Sequence, residues 1–438
     1  MTLVKTSGAT IPCSRWLLAG RQYMRRFWRG DAAMAQSRVL LLGFTVPDSL
    51  ARRLFSIDAG PAIQTHKFAW SLVRALQTSF DKIVLASASP IQNFPLGRQL
   101  LFRGSKFEEK GIEGVLLGFI NLLVFKHVTR FVSCLLVVPR LMVLNRVEFL
   151  FIHGVHTPFL VFGMLARLFG RRVVVVLTDP PGVPLATDSP LARVLKRVDV
   201  WLVSRVLERA DGVIALAPEL INRFAIRRPT LVFPGIIDSS INSKISEVSR
   251  QSVSTEPFTI VYAGGLSKAY GIDRLLDAVA GLDGMPVRVK LFGRGDQESR
   301  IRELAAHDER IQYGGFIAND LLVPELIGAD LLINPRPTQE EFAIMSFPSK
   351  LIEYLAMGRP VLTTRIPSIP DSYRSHFFFI NDESAEGIRS AILSLMAMDS
   401  KDREDHALRA KTFIGDEASE KAVGKRVADF IRSINKIC

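Results

Sequence analysis

Cysteine is scarce in this sequence: three residues, Cys13, Cys134 and Cys438, lie far apart in a chain of 438. That spacing provides neither a metal-binding pair nor a disulfide framework, so we expect the chain in a reducing compartment. Zinc-ligand spacings, an aromatic RNA-binding motif and a recognition-helix signature are also missing from the sequence. We therefore expect no nucleic-acid partner.

Long apolar runs are missing too, since no stretch reaches the roughly 18 uninterrupted apolar residues that are typical of a membrane-spanning helix. The nearest approach is Gly114–Phe125, which ends at Lys126 and His127. A segment of this kind predicts either a helix lying in a bilayer interface or a helix buried in a large core, and both readings stay open.

Acidic residues are scarce in the first half. Residues 1–240 hold 31 Lys and Arg against 15 Asp and Glu, a balance of +16, whereas the whole chain has a net charge of +13. The basic excess therefore lies entirely in the first half. This asymmetry indicates an anionic partner, and an anionic membrane surface or a phosphorylated substrate fits it.

The first 33 residues differ from the rest of the chain. They contain the basic, aromatic stretch RWLLAGRQYMRRFWRG, in which Arg residues interrupt the apolar run and no small-residue cleavage site comes after it. That pattern does not fit a secretory signal. We expect either a membrane-peripheral segment or an extension that is not translated, with Met34 as the true start.

Strand-like apolar runs alternate with helical patterns along most of the chain, beginning with RVLLLGF at Arg38–Phe44. Strands made only of Val, Ile and Leu are buried on both faces, which is typical of a parallel, doubly wound sheet. A Ser-rich polar stretch interrupts the pattern, which then restarts. The predicted fold is α/β, with two doubly wound, Rossmann-like domains facing a central cleft. The predicted units are an extension 1–33, a domain 34–236, a linker 237–256, a domain 257–415 and a C-terminal helix 416–438 that crosses back to the first domain.

The stretch SFPSKLIEYLAMG predicts a helix that begins near Pro348 and ends at Gly358. Proline suits an early helix position, and Ser346 or Ser349 can cap. Unpaired N–H groups and the helix dipole make such an N-terminus an anion site, to which Lys350 adds a full charge. Glu353 lies one turn later on the same face, where a carboxylate can accept ribose hydroxyls. The alternative is an ordinary capped helix with an ion pair.

Three polar turns follow predicted strands of the second domain. The first contains Gly264 and Gly265, which permit close backbone approach to a phosphate, together with Lys268. The second and third contain Arg294 and Arg336. Because such turns meet at the carboxyl edge of a parallel sheet, they indicate one nucleotide cleft.

The second half resembles the donor-binding domain of retaining GT-B glycosyltransferases of family 4, in particular the bacterial capsule and exopolysaccharide branch. The residues that carry the resemblance are VYAGGLSKAYGIDRLLDA and INPRPTQEEFAIMSFPSKLIEYLAMGRPVLTTRIPSIP, within Thr259–Asp382. The first half is similar more loosely. The resemblance implies a nucleotide-diphosphate sugar as donor substrate, retention of the anomeric configuration and no further cofactor.

The family has two glutamates separated by seven residues, and the second matches Glu353, expected to bind the ribose. The first would fall at Met345, which is not acidic. Glu340 or Glu341, just upstream, is expected to replace it near the sugar.

The commoner family pattern also has an arginine and a lysine that contact the diphosphate. Gly265 and Tyr270 stand at those positions here. Compensating charge is therefore expected from Lys268, Arg294 or Lys350, or from peptide N–H groups. The Asp-x-Asp motif of metal-dependent glycosyltransferases is missing from the sequence, so no essential metal is expected.

In the first domain the resemblance assigns His156 to the family's strand-end histidine, which contacts the donor sugar, with His153 as its competitor. Asp179 follows another strand, where it could contact donor or acceptor, or cap a turn. The segment Asp58–Phe68 is interpreted as the acceptor side, with candidate residues Gly60, His66 and Lys67.

The sequence thus predicts a cytoplasmic glycosyltransferase, peripheral on the inner face of the cell membrane, with a lipid-linked saccharide or glycan as acceptor. A Rossmann oxidoreductase is the first rival, but LLLGFTVPDS lacks the glycine fingerprint that it requires. The second rival is a catalytically degenerate scaffold or sugar-binding protein, which the loss of acid at Met345 favours.

Overall fold

A computed structural model describes residues 38–59, 61–178, 190–237, 257–339 and 341–437 of the protein. The predicted extension 1–33 and nearly all of the predicted linker lie outside the described residues. So do three candidate site residues, Gly60, Asp179 and Glu340.

The first half contains ten described strands: β1 (Arg38–Gly43), β2 (Lys82–Ser87), β3 (Leu101–Phe102), β4 (Ser105–Glu109), β5 (Ile112–Leu116), β6 (Phe119–Ile120), β7 (Phe149–His153), β8 (Arg172–Leu177), β9 (Gly212–Ala215) and β10 (Thr230–Val232). Eight of them form one sheet in the order β10-β9-β8-β7-β1-β2-β5-β4, in which every pair but β4–β5 is parallel. β3 and β6 form a separate antiparallel pair. The buried strands are runs of Val, Ile, Leu and Phe, as a sheet covered on both faces requires.

Six helices accompany this sheet: α1 (Asp48–Ile57), α2 (Ile63–Gln77), α3 (Leu123–Leu144), α4 (Thr157–Leu168), α5 (Pro190–Leu207) and α6 (Pro218–Arg223). Helices α1, α3, α4 and α5 contribute Leu54, Val138, Phe159 and Val203 to one apolar cluster, so they cover one face of the sheet. Helix α2 packs on the opposite face. The expectation of a helix over Gly114–Phe125 is wrong, because that segment contains the end of β5 and all of β6, and α3 begins only at Leu123.

The second half is built on six strands: β11 (Phe258–Gly265), β12 (Val287–Arg294), β13 (Ile311–Gly315), β14 (Leu331–Asn334), β15 (Val361–Thr364) and β16 (Phe378–Ile380). They form a wholly parallel sheet in the order β13-β12-β11-β14-β15-β16. A 3₁₀ turn at Lys268–Tyr270 follows β11. The described helices of this half are α7 (Ile272–Ala280), α8 (Glu298–His307), α9 (Asn319–Ile327), α10 (Glu341–Met345), α11 (Ser349–Met357), α12 (Asp371–Arg374), α13 (Ala385–Ala397), α14 (Ser400–Ala418) and α15 (Glu420–Ile437).

The last helix returns to the first sheet. Helix α15 packs against α2, and its Val423 and Val427 join the apolar cluster on that face. An ion pair between Arg74 Nε and Glu420 Oε1, 2.5 Å apart, fixes the contact. The break between α14 and α15 lies at Ser419, so the predicted boundary after residue 415 falls inside α14.

Strand order identifies where each sheet can hold a ligand. In the first sheet β1 lies between β2 and β7, and in the second β11 lies between β12 and β14. At such switch points the connections leave β1 or β11 toward opposite sides of the sheet, which opens a crevice beyond the carboxyl ends of the strands. The two crevices are therefore beyond β1 and β7, and beyond β11 and β14.

Candidate functional site

Two glycine turns meet at the crevice of the second sheet. Gly264 of β11 pairs with Gly293 of β12. Gly293 has φ +139°, and a Cβ built on it would lie 1.8 Å from the carbonyl oxygen of Gly264. A side chain there would collide with fixed backbone, so glycine is required. The two strand ends consequently present bare backbone, as a phosphate-binding edge needs.

Helix α11 begins beside these turns. Its N-cap is Pro348, no side chain caps it, and Ser349 is its exposed first residue. The expectation that Ser346 or Ser349 caps the helix is therefore wrong. Since no side chain of the described residues caps the helix, its first-turn N–H groups suit a bound anion.

Lys350 lies over the glycine turn. Its Nζ donates to the Tyr262 hydroxyl at 3.3 Å and lies 4.6 Å from the centre of that ring. A Cβ at Gly264 would lie 1.5 Å from Nζ, so the absence of a side chain at Gly264 makes room for the lysine. The pKa of Lys350 is lowered to about 8, mainly by burial; the charge of Glu353 opposes this shift and that of Arg336 adds to it. The ammonium is thus still charged at neutral pH but poorly solvated, which favours an anionic ligand.

Tyr354 fastens α11 to the end of β11. Its hydroxyl accepts from the N–H of Ala263 at 2.8 Å and donates to the carbonyl oxygen of the same residue at 3.2 Å. Burial raises the pKa of this phenol, so it remains a neutral donor. Glu353, the expected ribose ligand, is half-buried beside it. The hydrogen bonds of Tyr354 thus hold the first turn of α11 against the glycine turns.

The other predicted cations of this domain divide into two groups. Arg336 lies after β14 and is 6% exposed. Its guanidinium carbon is 5.8 Å from the centre of the Tyr270 ring. Nζ of Lys350 is 6.0 Å from the centre of the same ring. Arg294 and Lys268 are exposed. Arg294 lies over the Phe316 ring at 5.2 Å. Lys350 and Arg336 therefore flank the same tyrosine at the crevice, whereas Arg294 and Lys268 belong to its rim.

His156 lies at the crevice of the first sheet, as the N-cap of α4. Its Nε2 is 3.2 Å from Nη1 of Arg130, and the rings of Phe44, Phe159 and His127 surround it at 4.9 to 5.5 Å. Burial lowers the pKa of His156 well below 6.5, and the charge of Arg130 lowers it further. Arginine can only donate, so Nε2 accepts and the remaining proton is on Nδ1. The imidazole is a neutral hydrogen-bond donor and not an acid at neutral pH.

Arg130 and Lys126, one turn apart on α3, are residues that the sequence reasoning missed. Arg130, 2% exposed, donates to the Ser89 carbonyl oxygen at 2.7 Å and lies 4.1 Å from the Phe119 ring. Lys126 donates to the Ile91 carbonyl oxygen at 2.5 Å. Burial lowers the pKa of Arg130 to about 9 and that of Lys126 to about 7. The available signal was their i,i+4 spacing on a mainly apolar helix.

The remaining candidates of the first domain lie apart from this crevice cluster. His153 is fully buried against Phe68, and burial lowers its pKa to about 4, so it belongs to the core. The Nε2 of His66 is 3.0 Å from Oδ1 of Asp48. Lys67 is half-buried on the same helix, α2.

Met345 ends α10, the short helix that begins at Glu341. It is 4% exposed and belongs to the apolar cluster of the first domain, and Nη1 of Arg223 lies 3.0 Å from its sulfur. The resemblance places the family's first glutamate at Met345. In this chain Met345 instead packs against residues of the first half. In the part of the chain that the structure describes, no group of three or more His, Cys, Asp or Glu side chains could hold a metal ion.

Comparison with known proteins shows what this chain is similar to in sequence. Residues 257–398 match the family described as glycosyl transferases group 1. The chain is 22% identical over 186 residues to the putative colanic acid biosynthesis glycosyltransferase WcaL of Salmonella typhimurium, and 20% identical over 185 residues to that of Escherichia coli K12. Each match covers 41% of this chain and 46% of the relative, so it spans about half the length of these curated proteins.

Solved structures extend the likeness to nearly the whole chain. Sucrose-phosphate synthase from Thermosynechococcus elongatus superimposes with a TM-score of 0.61 at 14% identity, covering 92% of this chain and 100% of that one. HepE of Anabaena in complex with UDP superimposes with a TM-score of 0.59 at 15% identity, covering 90% and 100%. The chain thus has the GT-B fold of glycosyltransferases, and its residues 257–398 are similar to the glycosyl transferases group 1 family.

Proposed function

We propose that this protein is a retaining, metal-independent family 4 glycosyltransferase of bacterial polysaccharide assembly, peripheral to the inner face of the cell membrane. It would move a sugar from a nucleotide-diphosphate donor to a lipid-linked saccharide or glycan acceptor. The colanic acid assignment of WcaL and the UDP bound to HepE support the polysaccharide context and the nucleotide donor.

The observation that carries the proposal is the anion-binding edge at Lys350. A poorly solvated ammonium, an uncapped helix N-terminus and two bare glycine turns converge beyond β11. In glycosyl transfer the diphosphate leaves with growing negative charge while the sugar passes through an oxocarbenium-like state. Preorganised positive groups at that diphosphate stabilise the transition state.

The other residues take complementary roles in the proposed reaction. Arg336 adds positive charge beside Tyr270, and Glu353 accepts the ribose hydroxyls. His156, neutral and donating through Nδ1, hydrogen-bonds the donor sugar from the opposite crevice. The family has a glutamate at the position of Met345. Among the described residues, Glu341 at the start of α10 is the candidate to replace it.

Calorimetric titration with UDP, GDP, ADP and CMP, each with and without EDTA, tests the donor assignment. We expect one nucleoside diphosphate to bind, with an affinity that EDTA does not change. Glu353→Ala should weaken that binding about tenfold through lost ribose hydrogen bonds, whereas Glu303→Ala, on the surface of α8, should not. Absence of diphosphate binding, or an unaffected Glu353→Ala variant, would overturn the assignment.

A second candidate function is a catalytically degenerate nucleotide-sugar-binding protein, and the buried Met345 beneath Arg223 favours it. Turnover separates the two functions. Release of nucleoside diphosphate from the matching donor sugar, with an NMR-determined product anomer equal to that of the donor, supports retaining transfer. Diphosphate binding without turnover on any donor of that nucleotide would establish the degenerate function, and an inverted product would refute retention.

A further inference from the structure

Helix α3 has charged residues on its buried side and apolar residues on its exposed side. The stripe that faces the sheet contains Lys126 and Arg130, followed by apolar residues, and all its members are 6% exposed or less. The opposite stripe, two residues out of phase, is apolar and faces outward: Val124, Val128, Val132 and Leu136 are 46% to 64% exposed. A helix on a water-facing surface normally shows the opposite arrangement. Of the residues that the structure describes, this helix alone is long and apolar enough to span a membrane by length and composition.

The exposed apolar surface continues over the two neighbouring helices. Helix α3 packs beside α4, and α4 beside α5, on the same side of the first sheet. Exposed apolar side chains from all three helices therefore point to one side of the domain. Those outside α3 include Leu168, Val194, Val198 and Trp201.

A groove of about 330 Å³ lies between α4 and α5. Its walls include Val161, Met164 and Trp201, and Arg205 and Arg209 also line it. The guanidinium of Arg205 is 5.8 Å from the Trp201 ring. Apolar walls with an indole and two guanidiniums match an acyl chain lying below an anionic headgroup, since tryptophan and arginine both prefer the boundary between hydrocarbon and water.

The charge of these three helices indicates which kind of partner binds their exposed face. Besides the inward-facing Lys126 and Arg130, helices α3, α4 and α5 contain six Lys or Arg and a single acid, Asp199, which accepts a hydrogen bond from Thr157. A second copy of the chain docked through the same face would bring basic surface against basic surface, because a two-fold interface is self-complementary. A large exposed apolar patch marks an interaction site, and basic residues around it add attraction to anionic lipid.

We propose that the outward face of α3, α4 and α5 docks on an anionic lipid bilayer, with α3 lying parallel to the membrane. Because Lys126 and Arg130 hold the inner side of α3 against the protein, the helix contacts lipid from outside and does not cross it. Arg130, on the inner side of α3, also contacts His156 at the crevice of the first sheet. Docking therefore holds that crevice about one helix diameter, roughly 10 Å, from the lipid. The inference does not rest on the proposed transfer reaction, because lipid binding is measured without donor or acceptor.

Vesicle flotation of the full chain tests the docking face. Vesicles of phosphatidylcholine alone are compared with vesicles containing a quarter phosphatidylglycerol. We expect binding to the anionic vesicles, reduced at least tenfold by Val128→Ser/Leu136→Ser, which removes two exposed apolar side chains from α3. The matched control is Leu321→Ser/Leu408→Ser, at comparably exposed positions of the second domain, which should bind as the unaltered chain does.

Three results would overturn the proposal. If Val128→Ser/Leu136→Ser floats as well as the unaltered chain, another segment, such as the basic first 33 residues, binds the lipid. If neutral and anionic vesicles bind equally, the electrostatic part is wrong. The third result is an unaltered chain that does not float and sediments as a dimer, while Val128→Ser/Leu136→Ser sediments as a monomer. The face then binds a second copy of the chain.

A second variant keeps the test decisive if the serine pair fails to fold. Arg140→Gln/Arg197→Gln leaves the apolar stripe intact and should weaken binding to the anionic vesicles several-fold, with a smaller salt dependence. Nucleotide binding by both double variants shows that the second domain remains folded. If the unaltered chain binds the anionic vesicles but no nucleotide, the proposed function is refuted and the docking face stands.

Discussion

The crevices of the two sheets each contain a cation resting on an aromatic ring, but the two cations are held differently. Arg130 lies 4.1 Å from the Phe119 ring and donates to Ser89 and His156. Lys350 lies 4.6 Å from the Tyr262 ring and donates a hydrogen bond to that phenol, beside Gly264, which has no side chain. The first cation is engaged by the protein itself, whereas the second faces an edge with room for a ligand.

This difference indicates a division of labour between the crevices. A buried guanidinium whose two terminal nitrogens are engaged, as those of Arg130 are, fixes the geometry of its partner, here the tautomer of His156. A poorly solvated cation beside bare backbone binds an anion strongly, because the anion replaces the water that burial removed. In the proposed function, the first crevice therefore orients the neutral His156 as a hydrogen-bond donor, and the second binds the diphosphate. Variants of Lys350, Tyr354 and Arg130 test that division.

The largest expected effect is that of Lys350→Met on diphosphate binding. Loss of a charge-assisted hydrogen bond to phosphate should weaken binding of the nucleoside diphosphate about 100-fold by calorimetry. Lys268→Met, on the exposed rim, should weaken it no more than about threefold, because exposed charges interact weakly. Equal losses in the two variants would show that the buried position of Lys350 confers no advantage.

The pH dependence of that binding is the next largest effect. The pKa of Lys350 is about 8, so the ammonium that binds the phosphate is lost as pH rises through 8. Diphosphate affinity should fall about tenfold between pH 7 and pH 9, and binding near pH 8 should take up a proton. Lys350→Met should abolish both effects. A wild-type affinity that stays constant up to pH 9 would contradict this assignment.

Tyr354→Phe should have a smaller effect. The variant removes two hydrogen bonds to Ala263, and we expect the free energy of unfolding to fall by about 1–2 kcal/mol in denaturant titrations. Donor affinity should drop about threefold, because Lys350 is one turn earlier on the loosened helix. Tyr373→Phe, another buried tyrosine of this domain, should leave donor affinity unchanged. A loss of stability without loss of affinity would separate helix attachment from donor binding.

Sequence patterns predicted the fold well because the fold is built from local signals. Apolar runs of strand length, such as Arg38–Phe44, and amphipathic helices between them specify parallel sheets covered on both faces. The pattern failed at Gly114–Phe125, where an apolar run of helix length contains two strands and the start of α3. Apolarity alone cannot distinguish a buried strand from a buried helix.

The placement of Lys350 and Arg336 at the crevice of the second sheet was largely predictable, because these residues lie in contiguous motifs that follow strand ends. The inner face of α3 was not predictable, since Arg130 reaches His156 across 26 residues of sequence and Ser89 across 41. Tyr354 was visible in its motif, but its contact with Ala263, 91 residues away, depends on how the sheet and helix pack.

The smallest expected effect on donor binding is that of Arg130→Gln, which should leave diphosphate affinity unchanged and act only on His156. The charge of Arg130 helps to hold the pKa of His156 well below 6.5, so its removal should raise that pKa toward the ordinary value, although burial still opposes it. In imidazole NMR spectra, with the His156 signals assigned by their loss in His156→Asn, the wild type should remain neutral with the proton on Nδ1 from pH 8 to pH 5.5, whereas Arg130→Gln should titrate. Sugar transfer by the variant should then fall toward acidic pH, because a growing share of the imidazole carries a second proton. If the wild-type imidazole itself titrates near 6.5, Arg130 does not set its protonation, and the contrast between an engaged and an available cation no longer separates the two crevices.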